Sequence, residues 1–214
     1  MTNLKHPSRS LLADYATGVL ATGPSLTVES HLEGCAECRS EIARVEATEG
    51  QLLNALPPTQ MAPDALDRVF ARIDGSTPWV EPTAREQIAG LEDVPLPRSV
   101  AAFDLRPRRW LSPGFWVAHV DIPPEDDWRT FIIRAPAKSR IPAHSHPSHE
   151  YISVLTGAFI DGEHFDVGDF GENLAGSSHT LKVGGEAPCA CLIAIRGNVE
   201  WHGWAKIIGP ALGI

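Results

Sequence analysis

Hydrophobic positions follow one spacing in the first third of the chain and another in the second half. Up to residue 74, apolar side chains recur every three or four positions, which predicts amphipathic helices. Prolines stand among polar residues over 75–98, which indicates an extended linker. From residue 99 onward, short apolar runs alternate with Gly and Pro, which predicts the closely spaced strands of a sandwich or barrel. We therefore predict a helical domain over 1–74 and a β domain over 99–214.

Chain breakers and caps set the boundaries of the predicted elements. Gly23 and Pro24 are expected to end the first helix and Ser25 to cap the second; the third begins near Cys38 and stops at Pro57, and the fourth follows Pro63 and ends at Gly75. The predicted strands are Phe115–Ile122, Thr130–Ala135, Tyr151–Thr156, Ala158–Ile160, Thr180–Val183 and Cys189–Ile195. The helices are too short to bury their apolar stripes alone, so their domain needs packing, a metal or a partner.

Composition and charge narrow the function. With 43% hydrophobic and 21% charged residues, the chain is typical of a globular protein. A net charge of -9 argues against direct nucleic-acid binding, which depends on Lys and Arg neutralising phosphates. No apolar run approaches the roughly 20 residues needed to cross a bilayer, and no signal peptide is evident. We expect a cytoplasmic protein that binds another protein, and in that compartment cysteines that are metal ligands or free thiols.

Three potential metal ligands lie within seven residues of the β domain. Strand alternation places His144 and His146 on one face, and Glu150 reaches the same centre if the segment between them turns. Imidazoles plus one carboxylate suit Zn, Fe, Mn, Ni or Cu. We expect a divalent metal there, with zinc as the first choice.

The spacing from His144 to Gly157 resembles the first motif of the cupin superfamily, and Gly168-Asp169 leading to His179 resembles the second. Asp166 stands where the second motif commonly has proline. The resemblance implies a cupin β-barrel with His179 as the fourth metal ligand, and it leaves open whether the domain is a sensor or an enzyme. His149 and His164 do not fit the ligand pattern.

A second group of metal-binding residues lies in the helical domain. His31 and Cys35 are one helical turn apart, and Cys38 follows three residues later, so all three can face one ion. A tetrahedral zinc site needs a fourth ligand, for which His6 is the other early candidate. The CxxC pair alone favours zinc, with a redox dithiol or a chance spacing as the alternatives.

The helical domain is similar to the zinc-binding anti-sigma domain in its residues His6, His31, Cys35 and Cys38. Such a domain followed by a cupin resembles the ChrR-type anti-sigma factors, an α+β multidomain arrangement. The resemblance implies Zn²⁺ in the helical domain, sequestration of an extracytoplasmic-function sigma factor, and its release on an oxidative signal such as singlet oxygen or an organic peroxide. The alternative is a dioxygenase-like cupin metalloenzyme with a zinc docking module.

Three features do not decide between these functions. Cys189 and Cys191 fall on the same side of a strand, where they are either buried inert thiols or redox sensors. Five apolar residues belong either to the core of the helical domain or to a partner-binding face: Leu52, Leu53, Leu56, Val69 and Phe70. A homodimer and a partner other than a sigma factor stay open.

Overall fold

The computed structural model describes residues 5–75, 91, 93–123, 127–203 and 206. Helices come first and strands follow. The helices are α1 (Arg9–Ala16), α2 (Thr22–Gly34), α3 (Ala36–Ala55), α4 (Ala65–Asp74) and α5 (Arg98–Ala101). The strands are β1 (Asp104–Leu105), β2 (Arg109–Ser112), β3 (Phe115–Asp121), β4 (Trp128–Ala135), β5 (Arg140–Ser145), β6 (Glu150–Thr156), β7 (Phe159–Asp161), β8 (Glu163–Phe165), β9 (Phe170–Asn173), β10 (Ser178–Val183), β11 (Cys189–Arg196) and β12 (Glu200–Trp201).

The start of α2 differs from the prediction. Gly23 and Pro24 lie inside its first turn, and Ala21 rather than Ser25 is the N-cap. Proline is tolerated in the first turn because the backbone N–H that it lacks would have no partner there. Gly23 fits because α2 lies against the sheet: a Cβ at this position would come 2.3 Å from the Thr130 hydroxyl oxygen.

Two antiparallel sheets form the β domain. The larger runs in the order β1-β3-β4-β11-β6-β9 with β2 paired to β3, and the smaller in the order β12-β5-β10-β7-β8. Their facing sides enclose one apolar core, in which Phe131, Ile152 and Ile193 of the larger sheet meet Leu181 and Val183 of the smaller. This is the cupin-like sandwich that the strand pattern and the two motifs predicted.

The outer face of the larger sheet is covered by the helical part of the chain. Leu26 of α2 packs with Trp116, Ile132 and Leu192. A third apolar cluster joins α1, α2 and α3 to the sheet through Tyr151 and Phe170. The first helices are therefore stabilised by burial against the β domain as well as by contacts with one another.

Most of the predicted linker, 75–98, lies outside the described residues, so the domain boundaries stay predictions. None of the described helices is both long and apolar enough to cross a membrane.

Candidate metal centres and partner surface

The structure brings the four predicted N-terminal ligands together. The ligand atoms of His6, His31, Cys35 and Cys38 all lie within 4.8 Å of one another. His6 Nδ1 is 3.4 Å from Cys35 Sγ and 3.3 Å from Cys38 Sγ. In a tetrahedral zinc site, Zn–S and Zn–N bonds of about 2.3 and 2.0 Å separate sulfur from nitrogen by about 3.5 Å. The spacing of this cluster therefore fits zinc.

Local structure explains how these side chains converge. His31 lies in the last turn of α2, and Cys35 both ends α2 and caps α3, where its sulfur accepts the backbone N–H of Cys38. His6 comes from the extended segment before α1, and its other ring nitrogen, Nε2, lies 3.6 Å from the Glu37 carboxylate. A carboxylate in this position can fix the ring orientation of a metal-binding histidine.

Burial makes the N-terminal cluster an unfavourable place for charged side chains. His31, Cys35 and Cys38 are all buried, and burial is the largest cause that raises the pKa of Cys38 to about 12, followed by its contact with Cys35. Burial likewise lowers the pKa of His31, and its Nε2 is buried without a hydrogen-bond partner. A cation would give that nitrogen a partner and would displace the thiol protons, because zinc binds thiolates and neutral imidazoles.

The second predicted set also converges. His144 lies on β5, His146 just beyond it, Glu150 at the start of β6 and His179 on β10. Their ligand atoms lie within 4.8 Å of one another. His179 is placed opposite His144 by the pairing of β10 with β5, and its Nε2 is 2.9 Å from His146 Nε2. Glu150 Oε2 is 3.3 Å from His146 Nε2 and 3.7 Å from His179 Nε2.

Burial gives the cupin cluster protonation states that suit cation binding. Burial is the largest cause that lowers the pKa of His144 to about 4 and that of His146 to about 3, so both rings are neutral at pH 7. Burial also raises the pKa of Glu150. For His179 burial acts to lower the pKa, but the Asp161 and Glu150 carboxylates outweigh it and raise the pKa above its usual value. Two neutral imidazoles and a buried carboxylate are donors that a divalent metal would bind.

Three groups that orient the cupin ligands were missed by sequence reasoning. Asp161 Oδ2 accepts from His179 Nδ1 at 2.6 Å, and the carbonyl of Pro142 lies 2.8 Å from His144 Nδ1. Asn173 Nδ2 donates to Glu150 at 2.8 Å. The two histidine contacts leave Nε2 of each ring facing the cluster. Since Asp161 follows the first motif by several residues and belongs to neither motif, spacing alone did not single it out.

Other singled-out residues lie outside both clusters. His149 stacks on Tyr151, and His164 faces Asp166 at the surface. Cys189 and Cys191 are buried in the core between the sheets, with their sulfurs 3.7 Å apart. The contact with Cys189 and then burial raise the pKa of Cys191, so Cys191 is a thiol rather than a thiolate.

The helical part also carries an exposed apolar surface. α4 buries none of its residues, and the end of α3 is exposed as well. We call this surface the α3–α4 apolar face; it comprises Leu52, Leu53, Leu56, Leu66, Val69, Phe70 and Ile73. Each of these side chains is more than half exposed. Exposed apolar side chains that recur along amphipathic helices are typical of a protein-interaction site.

Comparison with known proteins shows which proteins the chain resembles. The ChrR cupin-like domain family matches residues 99–198, and a zinc-finger family matches residues 8–39. The curated anti-sigma-E factor ChrR of Cereibacter sphaeroides is 28% identical over an alignment of 215 positions, which covers 98% of this chain and 98% of that protein. Both parts of the chain are therefore similar to the corresponding parts of ChrR-type anti-sigma factors. The zinc-finger match includes His31, Cys35 and Cys38, and His6 lies just before it.

A solved structure shows the same resemblance. The crystal structure of Rhodobacter sphaeroides SigE in complex with the anti-sigma ChrR contains a chain that is 29% identical to this one. The match has a TM-score of 0.71 and covers 89% of this chain and 98% of that one. An RmlC-like cupin protein of Ralstonia eutropha JMP134 is 16% identical, with a TM-score of 0.42 over 48% of this chain and 68% of its own.

Proposed function

We propose that the chain is an anti-sigma factor: it holds an extracytoplasmic-function sigma factor on its helical part and releases it when an oxidative signal changes the cupin domain. The α3–α4 apolar face is the observation that carries the first half of this proposal. The related ChrR was solved in complex with SigE, which supports a sigma factor as the occupant of that face.

The energetics of the α3–α4 apolar face favour a partner. α4 is strongly amphipathic, so its apolar side is suited to burial. Within the described structure that side stays exposed: Val69 is 51% exposed and Phe70 is 54% exposed. Burying a large apolar side chain contributes about 1.5–3 kcal/mol, so several half-exposed residues represent a substantial unused binding energy. A helix that presents such a face typically docks into an apolar groove of a partner.

We further propose that both clusters bind metal. Two sulfurs and two nitrogens at the N-terminal centre are a donor set typical of structural zinc, which contributes on the order of 10 kcal/mol to folding. The three imidazoles and the carboxylate of the cupin centre suit a divalent ion, and zinc is the metal that we expect. With zinc bound, the N-terminal centre would fix His6 and α2 against the start of α3.

The second half of the proposal concerns the oxidative signal. The cupin centre or the thiols near it would perceive singlet oxygen or an organic peroxide, and the helical part would respond. Cys189 and Cys191 adjoin Ile193 in the sheet core, so a polar oxidation product there would disturb packing. Loss of the metal from either centre would likewise disturb the packing of the side chains around that centre.

Transcription assays test the two halves separately. The purified chain should inhibit transcription that depends on its sigma factor, and an added oxidant should restore it. In buffer with excess zinc, which keeps the N-terminal centre loaded, His144→Ala removes one cupin ligand and should still inhibit but no longer respond to the oxidant. The matched control is His149→Ala, which removes a nearby histidine outside the cluster and should behave as the wild type. Loss of inhibition in His144→Ala would show that the cupin centre is needed for sigma binding.

The enzymatic alternative predicts different results. A cupin dioxygenase would consume oxygen in the presence of Fe(II) and a substrate, and it would leave sigma-dependent transcription unchanged. Inhibition without turnover supports the regulator. Turnover without inhibition supports the metalloenzyme.

A further inference from the structure

The N-terminal centre is built partly by the cupin domain. The carbonyl oxygen of Gly168 lies 2.7 Å from His31 Nδ1, which leaves Nε2 of that ring to face the cluster. The ring of Phe170 packs edge-on against His31 at 5.8 Å between centroids. Both cupin residues lie at the start of β9 or in the turn before it. The cupin domain therefore supplies the hydrogen bond that orients one N-terminal ligand.

The segment that carries His6 is fixed to the same turn and strand. The Lys5 backbone N–H donates to Asp169 Oδ1 at 2.9 Å, and the Phe170 N–H donates to the Lys5 carbonyl at 3.0 Å. One residue beyond Pro7, the Ser8 backbone and hydroxyl both donate to the Glu172 carboxylate, at 3.1 and 3.2 Å. Position and orientation of His6 thus depend on where β9 lies.

The other end of β9 reaches the cupin centre. Asn173, the last residue of the strand, pairs with Glu150 in the β6–β9 register and donates to its carboxylate at 2.8 Å. Glu150 is one of the four clustered cupin side chains and is buried. The four residues of β9 span about 10 Å. One short strand therefore contacts a ligand of each centre.

The turn before β9 is held firmly to its neighbours. Asp169 is buried, and its second carboxylate oxygen accepts the N–H of Asp166 at 2.8 Å. Its carbonyl accepts the N–H of Val154 on β6 at 3.1 Å. Because the side chain of Asp169 also holds Lys5, a displacement of the strand is transmitted to the N-terminal segment rather than absorbed in a loose loop.

We propose that β9 carries the state of the cupin centre to the N-terminal centre, with Asn173 and the Gly168 carbonyl as the positioning groups at its two ends. This inference rests on the proposed binding of metal at both centres. In this proposal the change passes from one centre to the other through a strand and not through the linker predicted over 75–98. A metal bound by Glu150 would hold its carboxylate in place for Asn173; without that metal the carboxylate would be free to turn away, and the shift would pass along β9 to the Gly168 carbonyl beside His31. Loss of a group that orients a metal ligand typically lowers metal affinity 10- to 100-fold.

Cobalt substitution of the full chain tests this route. The N-terminal centre alone of the two has sulfur ligands, so thiolate-to-cobalt charge-transfer absorption reports on it and not on the cupin centre. The rate of loss of this absorption in excess chelator is measured for the wild type, His144→Ala, Asn173→Ala and the double variant. His149→Ala is the matched control, and His179→Gln repeats the test with a second cupin ligand.

We expect His144→Ala and His179→Gln to accelerate cobalt loss from the N-terminal centre about tenfold, with shifted charge-transfer bands. Asn173→Ala should have a similar effect, and the double variant should lose cobalt no faster than either single variant, because both changes act through one contact. His144→Ala matching the wild type, or effects of His144→Ala and Asn173→Ala that multiply, would overturn the route through β9. A wild-type chain that binds no metal at either centre would overturn the proposed metal binding as well.

Discussion

Replacing large apolar side chains of the α3–α4 apolar face by alanine should weaken partner binding and leave folding intact. Leu66 and Phe70 are one helical turn apart on α4 and are 63% and 54% exposed. Full burial of such a side chain contributes about 1.5–3 kcal/mol, so burying the exposed half or more of each gives about 1–1.5 kcal/mol per residue. The double variant Leu66→Ala, Phe70→Ala should therefore lose about 2–3 kcal/mol of binding free energy. That loss corresponds to a roughly 30- to 150-fold higher Kd.

Calorimetric titration of the purified sigma factor measures this Kd. The thermal unfolding of the double variant should match that of the wild type, because α4 buries none of its residues and alanine favours helix. Trp110→Ala is the control: its side chain is an aromatic of similar exposure, 56%, on β2 of the cupin domain. A double variant that binds within twofold of the wild type would refute the assignment of the face. So would a Trp110→Ala variant that binds as weakly as the double variant.

Three further predictions concern the cupin domain and the metals. Gly157 has φ +66°, and a Cβ there would lie 2.2 Å from the Pro188 carbonyl oxygen, so Gly157→Ala should cost about 2–5 kcal/mol in urea unfolding. Gly162→Ala has the same backbone strain but no atom within 4 Å, and should cost only about 1–2 kcal/mol; equal losses would contradict the clash. Asp161→Asn should weaken cupin metal binding about 10- to 100-fold by competition with a chelator, and an unchanged affinity would remove Asp161 as the group that orients His179. Stripping the metals should reduce helical circular dichroism, and zinc should restore it; a signal unaffected by the chelator would argue against zinc as a folding element.

Local signals in the sequence predicted most elements and three ligands of each cluster, while the family resemblance supplied His179 and supported His6 as the fourth ligands. Pro57 and Gly75 stop their helices as expected, because proline and glycine act on their own stretch of backbone. The clusters were visible for a similar reason: His31 and Cys35 lie one helical turn apart, and His144 and His146 lie on alternate positions of an extended segment.

Contacts between distant segments were not predictable. The docking of α2 on the larger sheet depends on the close approach of Gly23 to Thr130, which no local pattern indicates. β9 is only four residues long and contains Gly171 and Asn173, which are poor strand formers, so it was missed. The bond between His31 and Gly168 joins residues 137 positions apart. The features that couple the two domains are therefore those that periodicity could not reveal.

The most direct test of the anti-sigma function is co-purification with the extracytoplasmic-function sigma factors of the source cell. The wild type and a Cys35→Ser, Cys38→Ser variant are compared, with zinc counted in each preparation. We predict a sigma factor bound to the zinc-loaded wild type and absent from the variant, because the variant lacks both sulfur ligands of the N-terminal centre. A wild-type protein that loads zinc and retains none of these sigma factors would contradict the account.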